Sequence, residues 1–277
     1  MTVVLTELPE TVQAAVAGTR ERVAALHAEL PRNGLVVWTA GNVSERVPRP
    51  PEGPSAPAGP AASDAPTPSA GPAAPDAPTP SAGHDDIPEL FVIKPSGVSY
   101  DDLSPETMVV CTLDGQKIQD GTPDALRPSS DTAAHAYVYR HLDHVGGVVH
   151  THSTYATAWA ARGEEIPCVL TMMADEFGGP IPVGPLAVIG DDSIGQGIVE
   201  TLRDSRSRAV LMRNHGPFTI GHDARDAVKA AVMCEEVART VHVSRQLGEP
   251  LEIPEHLVDS LFERYQNVYG QGDGPRA

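Results

Sequence analysis

The sequence predicts an α/β protein, a three-layer α/β/α domain in which a mixed, largely antiparallel sheet lies between helices. Short apolar, β-branched segments alternate with longer segments of helical periodicity, without the regular strand–helix–strand spacing of a doubly wound fold. A Pro/Ala-rich segment, residues 48–88, interrupts the pattern and contains the near-repeats 59–70 and 71–82. We therefore expect a single domain over residues 1–277, interrupted by a disordered, low-complexity insertion.

The first half of the chain opens with a helix. Valine and leucine recur at helical spacings over residues 9–30. Two short strands, 35–39 and 89–93, each run into a glycine-containing turn, and a third at 108–113 precedes Asp114-Gly115 as one arm of a hairpin. Ser130 or Asp131, both good N-cap residues, should start a helix that ends near Leu142.

The second half alternates strands with helices. We expect strands at 146–153 and 209–216, extended segments at 181–190 and 217–221, and helices at 155–162, 193–202, 224–247 and 254–265. Residues 171–178 are expected to form a loop.

Composition restricts the partners of the protein. The formal net charge of -17 disfavours nucleic acid and anionic membranes, so a small anionic ligand would need a local site of backbone N–H groups. The cysteine count of 3 is odd, and each thiol lies in an apolar or helical run, which indicates reduced thiols. No basic leader or long apolar run is evident in the sequence, so we expect a soluble cytoplasmic protein.

Histidines mark a candidate metal site. His150 and His152 follow an apolar run, and in a strand residues two apart point to the same face. Such a pair is more often two ordinary histidines, but His215 stands at a second strand-to-turn junction, before Gly216. Three imidazoles with an open position are typical of catalytic zinc sites. Asp131 offers a carboxylate near a helix start, where it could equally be a plain N-cap.

Three turns could bind an anion. Residues 41–44, 94–97 and 128–130 each combine Gly or Pro with hydroxyl or amide groups, and Lys94 adds a positive charge. Each of them alone is simply a turn, and only their combination suggests a site.

These motifs together resemble the class II aldolase/adducin family, and within it the L-ribulose-5-phosphate 4-epimerases. The resemblance covers nearly the whole chain outside 48–88. It is carried by Gly41-Asn42-Val43-Ser44, Ile93-Lys94-Pro95-Ser96-Gly97-Val98, Pro128-Ser129-Ser130-Asp131-Thr132, Val149-His150-Thr151-His152-Ser153 and His215-Gly216-Pro217-Phe218.

The resemblance implies a role for each matching residue. His150, His152 and His215 would hold Zn²⁺ or another divalent transition metal, with Asp131 beside it. The substrate phosphate would be bound by Asn42, Lys94, Ser96, Gly97, Ser129 and Ser130. Thr171 and Asp175 would reach a neighbouring subunit's site, and Asp175 and Tyr269 would be its acid/base pair, as the match at Tyr269-Gly270-Gln271 suggests.

The implied function is the metal-dependent retro-aldol/aldol epimerisation of L-ribulose 5-phosphate to D-xylulose 5-phosphate by a homotetramer, as in arabinose catabolism. Asp131 favours epimerases, because family aldolases acting on fuculose phosphate carry Glu there. Met173 and Glu176 depart from the epimerase pattern, which has His and an aromatic residue. A fuculose- or rhamnulose-phosphate type aldolase, a sugar-phosphate dehydratase and a non-catalytic adducin-like module remain alternatives.

Overall fold

The computed structural model describes residues 2–49 and 87–267 of the chain. Its helices are α1 (Glu10–His27), α2 (Glu29–Arg32), α3 (Thr132–His141), α4 (Thr154–Arg162), α5 (Thr171–Phe177), α6 (Ser193–Leu202), α7 (Ala224–Leu247) and α8 (Glu255–Asn267). Its strands are β1 (Asn42–Arg46), β2 (Leu90–Ile93), β3 (Val109–Thr112), β4 (Gly147–His150), β5 (Val183–Gly184), β6 (Ala209–Met212) and β7 (Gly216–Gly221).

Within the described residues the strands form one seven-stranded sheet, in the order β3-β2-β1-β4-β7-β6-β5. All neighbouring pairs are antiparallel except β5 and β6, which are parallel. The mixed, largely antiparallel sheet that the sequence predicted is therefore confirmed.

Helices cover both faces of this sheet. On one face α3 and α6 pack against apolar side chains of β2, β3, β4, β6 and β7. On the other face α1 covers β2 and β3, and α7 with α4 covers the centre and the β6 side. Strand β6 is apolar throughout because both of its faces are buried. Ala209 and Leu211 pack on one face, and Val210 and Met212 pack on the other.

The first predicted strand was wrong. Residues 35–39 are not a strand, and in this segment Val37 and Trp38 are 74% and 88% exposed. The strand is β1, whose sequence Asn-Val-Ser-Glu-Arg looks polar but whose first four side chains are buried, the polar ones with at least one partner each. Glu45, for example, pairs with Arg22 at 2.5 Å. A central strand can carry polar residues when their side chains find hydrogen-bond or ion-pair partners on other elements. The alternation of apolar and polar residues along the sequence does not reveal such partners.

The loop expected at 171–178 is instead helix α5. It is short, and no side chain caps its N-terminus, so its own sequence gives a weak helical signal. It ends at Gly178 with φ 63, where glycine adopts the left-handed conformation without strain. Tertiary packing on α8 supports this helix, as Gly178 lies directly against Phe262.

The other elements agree with the sequence. Helices α6 and α7 have the predicted bounds, and α1, α3, α4 and α8 differ from them by a few residues. The extended segment 181–190 contributes only the two residues of β5 to the sheet. Most of the predicted insertion lies outside the described residues, and no helix within the described ranges is long and apolar enough to cross a membrane.

Candidate metal centre and substrate site

Two neighbouring strands bring three histidines together. His150 ends β4, His152 follows two residues later, and His215 immediately precedes β7. Strands β4 and β7 pair with His150 opposite Phe218. Among the described residues, one nitrogen from each histidine forms a group whose members all lie within 4.8 Å of one another. We call these three residues the histidine cluster.

Local backbone geometry makes this convergence possible. A Cβ on Gly216 would lie 2.6 Å from the Thr151 carbonyl oxygen, so the turn that carries His215 approaches the His150–His152 segment only because residue 216 is glycine. Asn214, the residue before His215, has a φ of 60, a left-handed conformation that asparagine tolerates better than most residues.

The ring of His150 is fixed on two sides. Its Nδ1 donates to the Pro217 carbonyl oxygen at 3.0 Å, and its ring stacks on Phe218 with centroids 4.1 Å apart. Because a carbonyl can only accept, Nδ1 carries the proton and Nε2 presents a lone pair. That Nε2 lies 3.0 Å from Nε2 of His152. A backbone acceptor on the far nitrogen is the usual support of a metal-binding histidine.

The cluster is electrostatically suited to a cation. Burial lowers the pKa of all three histidines, and for His150 the positive charge of its two histidine neighbours lowers it further. The imidazoles are therefore neutral near pH 7, which is the form that coordinates metals. For His152 and His215 the negative charge of Asp131 partly offsets the effect of burial, but the net pKa of both remains lowered. The donor set thus fits a divalent transition metal.

Asp131 is joined to β1 by a short hydrogen-bond chain. Asn42 Nδ2 donates to Asp131 Oδ2 at 2.8 Å and to Ser129 Oγ at 2.9 Å. Asn42 lies opposite His150 in the β1–β4 register. Asp131 Oδ1 is buried without a hydrogen-bond partner in the described part of the chain. The Asp131 carboxylate is not part of the compact nitrogen group, so its role as a ligand stays a prediction.

Two of the predicted anion-binding turns lie side by side. Ser129 N donates to the Lys94 carbonyl oxygen at 3.0 Å, and Ser96 N donates to the Arg127 carbonyl oxygen at 2.9 Å. Ser96, Gly97 and Ser130 are exposed on these turns, and Ser129 is half-buried. The bond from Asn42 to Ser129 connects the paired turns to the strand beside the histidine cluster. The paired turns therefore lie at the same end of the sheet as the histidine cluster.

Lys94 and Ser44 are placed differently from the other members of their motifs. The Lys94 side chain is buried, and its Nζ donates to the carbonyl oxygens of Thr39 and Pro95 at 3.2 and 3.3 Å. Burial lowers the pKa of this amine to about 8. Its part in phosphate binding stays a prediction. Ser44 lies inside the sheet and contacts His135 and Tyr139, so residues 42–44 form a strand and not the expected loop.

The proposed acid/base residues lie on other elements. Thr171 and Asp175 are one helical turn apart on α5, which places them on the same face. The charged neighbours of Asp175 are Arg264 and Glu176, and burial raises its pKa. None of the described contacts joins Asp175 to the histidine cluster. Tyr269 lies outside the described residues.

Sequence reasoning missed two supports of the site. His135 is fully buried, with Nδ1 2.7 Å from Ser44 Oγ, and it lies on α3, the helix that begins directly after Asp131. The Glu235 carboxylate accepts from the backbone N–H groups of Tyr155 and Ala156 at 2.8 and 2.9 Å, which fixes the start of α4 just after His152. An acid on a largely buried helix face was the only sequence signal for this cap.

Comparison with known proteins gives a consistent result. Residues 21–242 match the family model of the class II aldolase and adducin N-terminal domain. The chain is 41% identical over 195 residues to L-ribulose-5-phosphate 4-epimerase UlaF of Salmonella paratyphi C (strain RKS4594), which covers 66% of this chain and 84% of that protein. The UlaF protein of Salmonella typhi matches to the same extent.

Solved structures share the fold. An L-fuculose 1-phosphate aldolase superposes with a TM-score of 0.69 at 20% identity, covering 90% of this chain and 96% of the other. The L-fuculose 1-phosphate aldolase from Glaciozyma antarctica PI12 gives 0.65 at 19% identity, covering 94% and 87%. The three-layer architecture is therefore that of class II aldolases.

Proposed function

Because the chain belongs to the class II aldolase and adducin family, we propose that it is a metal-dependent sugar-phosphate epimerase that interconverts L-ribulose 5-phosphate and D-xylulose 5-phosphate. The observation that carries the proposal is the histidine cluster beside the Asn42–Ser129–Asp131 chain, in a protein 41% identical to curated 4-epimerases. The reaction would break and remake the bond between C3 and C4 of the ketose.

The metal would be Zn²⁺ or another divalent transition ion held by His150, His152 and His215. When bound, such an ion acts as a Lewis acid that stabilises the negative charge developing on a ketone oxygen as the neighbouring carbon–carbon bond breaks. The protein's own contribution begins with orientation: the Pro217 carbonyl and the Phe218 ring hold His150 in one position. We assign Asp131, with its unpartnered Oδ1, to direct a proton or water beside the ion.

Phosphate binding would keep the departing fragment in the site. We assign this role to Asn42, Ser96, Gly97, Ser129 and Ser130, with Lys94 behind them. The paired turns lie side by side with Ser96, Gly97 and Ser130 exposed, and hydroxyl and free N–H groups of such turns bind anions even in an acidic protein. A fragment anchored by its phosphate can rotate and present its other face, whereas a weakly held fragment would leave.

Asp175 and Tyr269 would move the proton of the C4 hydroxyl, one residue on each face of the sugar. Burial raises the pKa of Asp175, which suits a group that must both give and take a proton. We place Thr171, Asp175 and Tyr269 in the site of a neighbouring subunit of a homotetramer, because Asp175 has Arg264 and Glu176 as its charged neighbours within its own chain.

The cellular setting is part of the proposal. We expect the enzyme to work in the cytoplasm, in carbohydrate catabolism such as that of arabinose. Cys111, Cys168 and Cys234, all within the described residues, are free thiols, and burial raises the pKa of Cys111 to about 12. Unreactive thiols of this kind suit a reducing compartment.

The decisive test is product analysis. The metal-loaded protein is incubated with L-ribulose 5-phosphate, D-xylulose 5-phosphate and fuculose 1-phosphate, and the products are identified by NMR. We expect an equilibrium mixture of the two pentulose phosphates. Free glycolaldehyde phosphate would indicate an aldolase instead, and no turnover with intact metal would contradict both activities.

The shared site has a separate test. A His150→Ala chain and a Tyr269→Phe chain, each inactive alone, are unfolded and reassembled together. Activity should return, since some interfaces then combine an intact half from each chain. If mixed oligomers form and stay inactive, the site is not shared.

A further inference from the structure

Helix α5 carries a buried carboxylate beside its proposed catalytic aspartate. Glu176 follows Asp175 in sequence and is 1% exposed, although glutamate is rarely buried without a partner. Its counter-charge is Lys229 on α7, whose Nζ lies 2.6 Å from Glu176 Oε2. Neither oxygen of Glu176 has a hydrogen-bond partner of good geometry within the described residues, so the contact with Lys229 is an ion pair. The ammonium of Lys229 is therefore the principal compensation for this buried charge.

The same ammonium also contacts α8. Lys229 Nζ lies 4.9 Å from the centre of the Tyr265 ring, within the range of a cation–π contact. Burial lowers the pKa of Lys229, but the adjacent Glu176 and Tyr265 outweigh that effect, and the net pKa is raised. Lys229 thus stays charged and joins three helices, α5, α7 and α8.

We propose that Lys229 is a positioning residue, which orients α5 through Glu176 and braces it against α8 through Tyr265, so that Asp175 has a fixed direction. Asp175 adjoins Glu176 in sequence. The inference rests on the proposed function for the acid/base role of Asp175. Lys229 is assigned no contact with substrate.

The direction of Asp175 depends on the rotation of α5 about its own axis. Side chains extend about 5–6 Å from a helix axis, so a rotation of about 20° would displace a carboxylate by about 2 Å. Misplacing a reacting group by about 1 Å can reduce turnover about 100-fold. Helix α5 has seven residues and no capping side chain, so little within the helix itself resists such a rotation.

Apolar packing also holds α5, since Met173 and Phe177 are buried in the same cluster as apolar side chains of α7. Further contacts join the end of α5 to α8. Phe262 packs on Gly178, and Arg206 pairs with Asp259 at 2.7 Å while lying over the Phe262 ring. These contacts lie beyond the C-terminus of α5. Within the described residues, the ion pair between Glu176 and Lys229 is the polar side-chain contact that joins the body of α5 to α7.

The test separates position from stability. Lys229→Met alone would strand a buried carboxylate and could unfold the chain, so the main variant is Glu176→Met/Lys229→Met, which removes both charges. Lys229→Arg keeps the charge and serves as the conservative rescue. Arg32→Met removes an exposed ion pair with Glu29, remote from α5, and serves as the control. Melting temperature, metal content, kcat, KM and amide hydrogen exchange are measured for each.

For the double variant we expect unchanged metal content and melting temperature, a fall in kcat of about 10- to 100-fold at a nearly constant KM, and faster exchange in 171–177 and 255–267. Lys229→Arg should stay within about threefold of the unchanged protein. A double variant with unaltered kcat and exchange would overturn the inference. If the unchanged protein turns over no ketose phosphate, the proposed function fails, while hydrogen exchange still decides the role of Lys229.

Discussion

The histidine cluster and helix α5 are supported by different interactions. His150 and His215 lie at the ends of β4 and β7, whose positions are set by backbone hydrogen bonds across the centre of the sheet. Asp175 lies on the short helix α5, which is held by side chains, since its apolar residues pack in the core and Glu176 pairs with Lys229. Backbone pairing fixes the first region, whereas side-chain packing and an ion pair fix the second.

The contrast separates two kinds of sensitivity. Changing a ligand in the histidine cluster should remove a function without disturbing the strands beneath it. Changing a support of α5 should leave the chemistry present but misaligned.

The largest expected effect is the loss of a histidine ligand. His152 is the most exposed of the three histidines, although its ring is partly desolvated in the cluster, so His152→Ala should cost little stability, yet it removes one of three imidazoles. We expect loss of bound metal and a fall in kcat of about 10³-fold. His222→Ala, an exposed histidine at the other end of β7, is the matched control and should retain both. Elemental analysis and turnover measure the effect, and full activity without metal would contradict the assignment.

A smaller effect is expected where β1 joins the start of α3. Asn42→Ala removes the donor to both Asp131 and Ser129, which leaves a buried carboxylate oxygen without its partner. We expect a loss of about 1–3 kcal/mol in the free energy of unfolding and a KM about tenfold higher for the phosphorylated substrate.

The control for this change is Asn33→Ala, which removes an exposed bond to the Glu29 carbonyl oxygen. It should change stability by less than about 0.5 kcal/mol. Denaturant titration and steady-state kinetics distinguish the two variants. Equal effects would show that the Asn42 chain has no special importance.

The same contrast explains which features the sequence revealed. His150, His152 and His215 were found because a strand places residues two apart on one face and a glycine marks the turn that follows. Helix α5 was missed because its stability comes from packing on elements distant in sequence, and the counter-charge of its buried Glu176, Lys229, is distant in sequence as well. The first strand was predicted too early in the sequence because Ser44 and Glu45 of β1 are polar. Both are buried with partners on other elements, and no local pattern encodes such partners.

Acid should weaken the connection between α1 and β1 through His27. Its Nδ1 donates to the Val23 carbonyl oxygen and its Nε2 accepts from Val43 N at 3.0 Å, so it ties α1 to β1. Burial lowers the pKa of His27 to about 3, well below the unfolded value of 6.5. Between these values the unfolded chain binds more protons, so stability is complete above pH 6.5 and is lost as pH falls towards 3.

For this one histidine the loss should be about 2 kcal/mol by pH 5. His27→Gln should flatten the dependence of unfolding free energy on pH, measured by denaturant titration from pH 7 to pH 5. His256→Gln, at an exposed histidine, should leave the slope unchanged. A slope that His27→Gln does not alter would exclude His27 as its source.

The smallest effect on activity is expected at the insertion, because the strands around it lead away from the site. Asn42 begins β1 beside His150, and Arg46 ends the strand at its other end, about 13 Å away at 3.3 Å per residue. The chain re-enters the sheet at this same end, where Val47 N donates to the Leu90 carbonyl oxygen at 2.8 Å. Arg49 pairs there with Glu89 at 3.0 Å.

Replacing residues 50–86 with a short Asn-Gly turn should therefore leave kcat/KM within about twofold, because the ends it joins are already adjacent and far from the histidine cluster. Each halving of a loop lowers its closure cost by about 0.6 kcal/mol, so a roughly tenfold shortening should raise stability by at most about 2 kcal/mol. A Gly/Ser linker of the original length is the control, since it keeps the closure cost and changes only the composition. Loss of soluble protein, or a kcat/KM reduced more than about tenfold in either variant, would mean that the insertion contributes contacts that the strand geometry does not require.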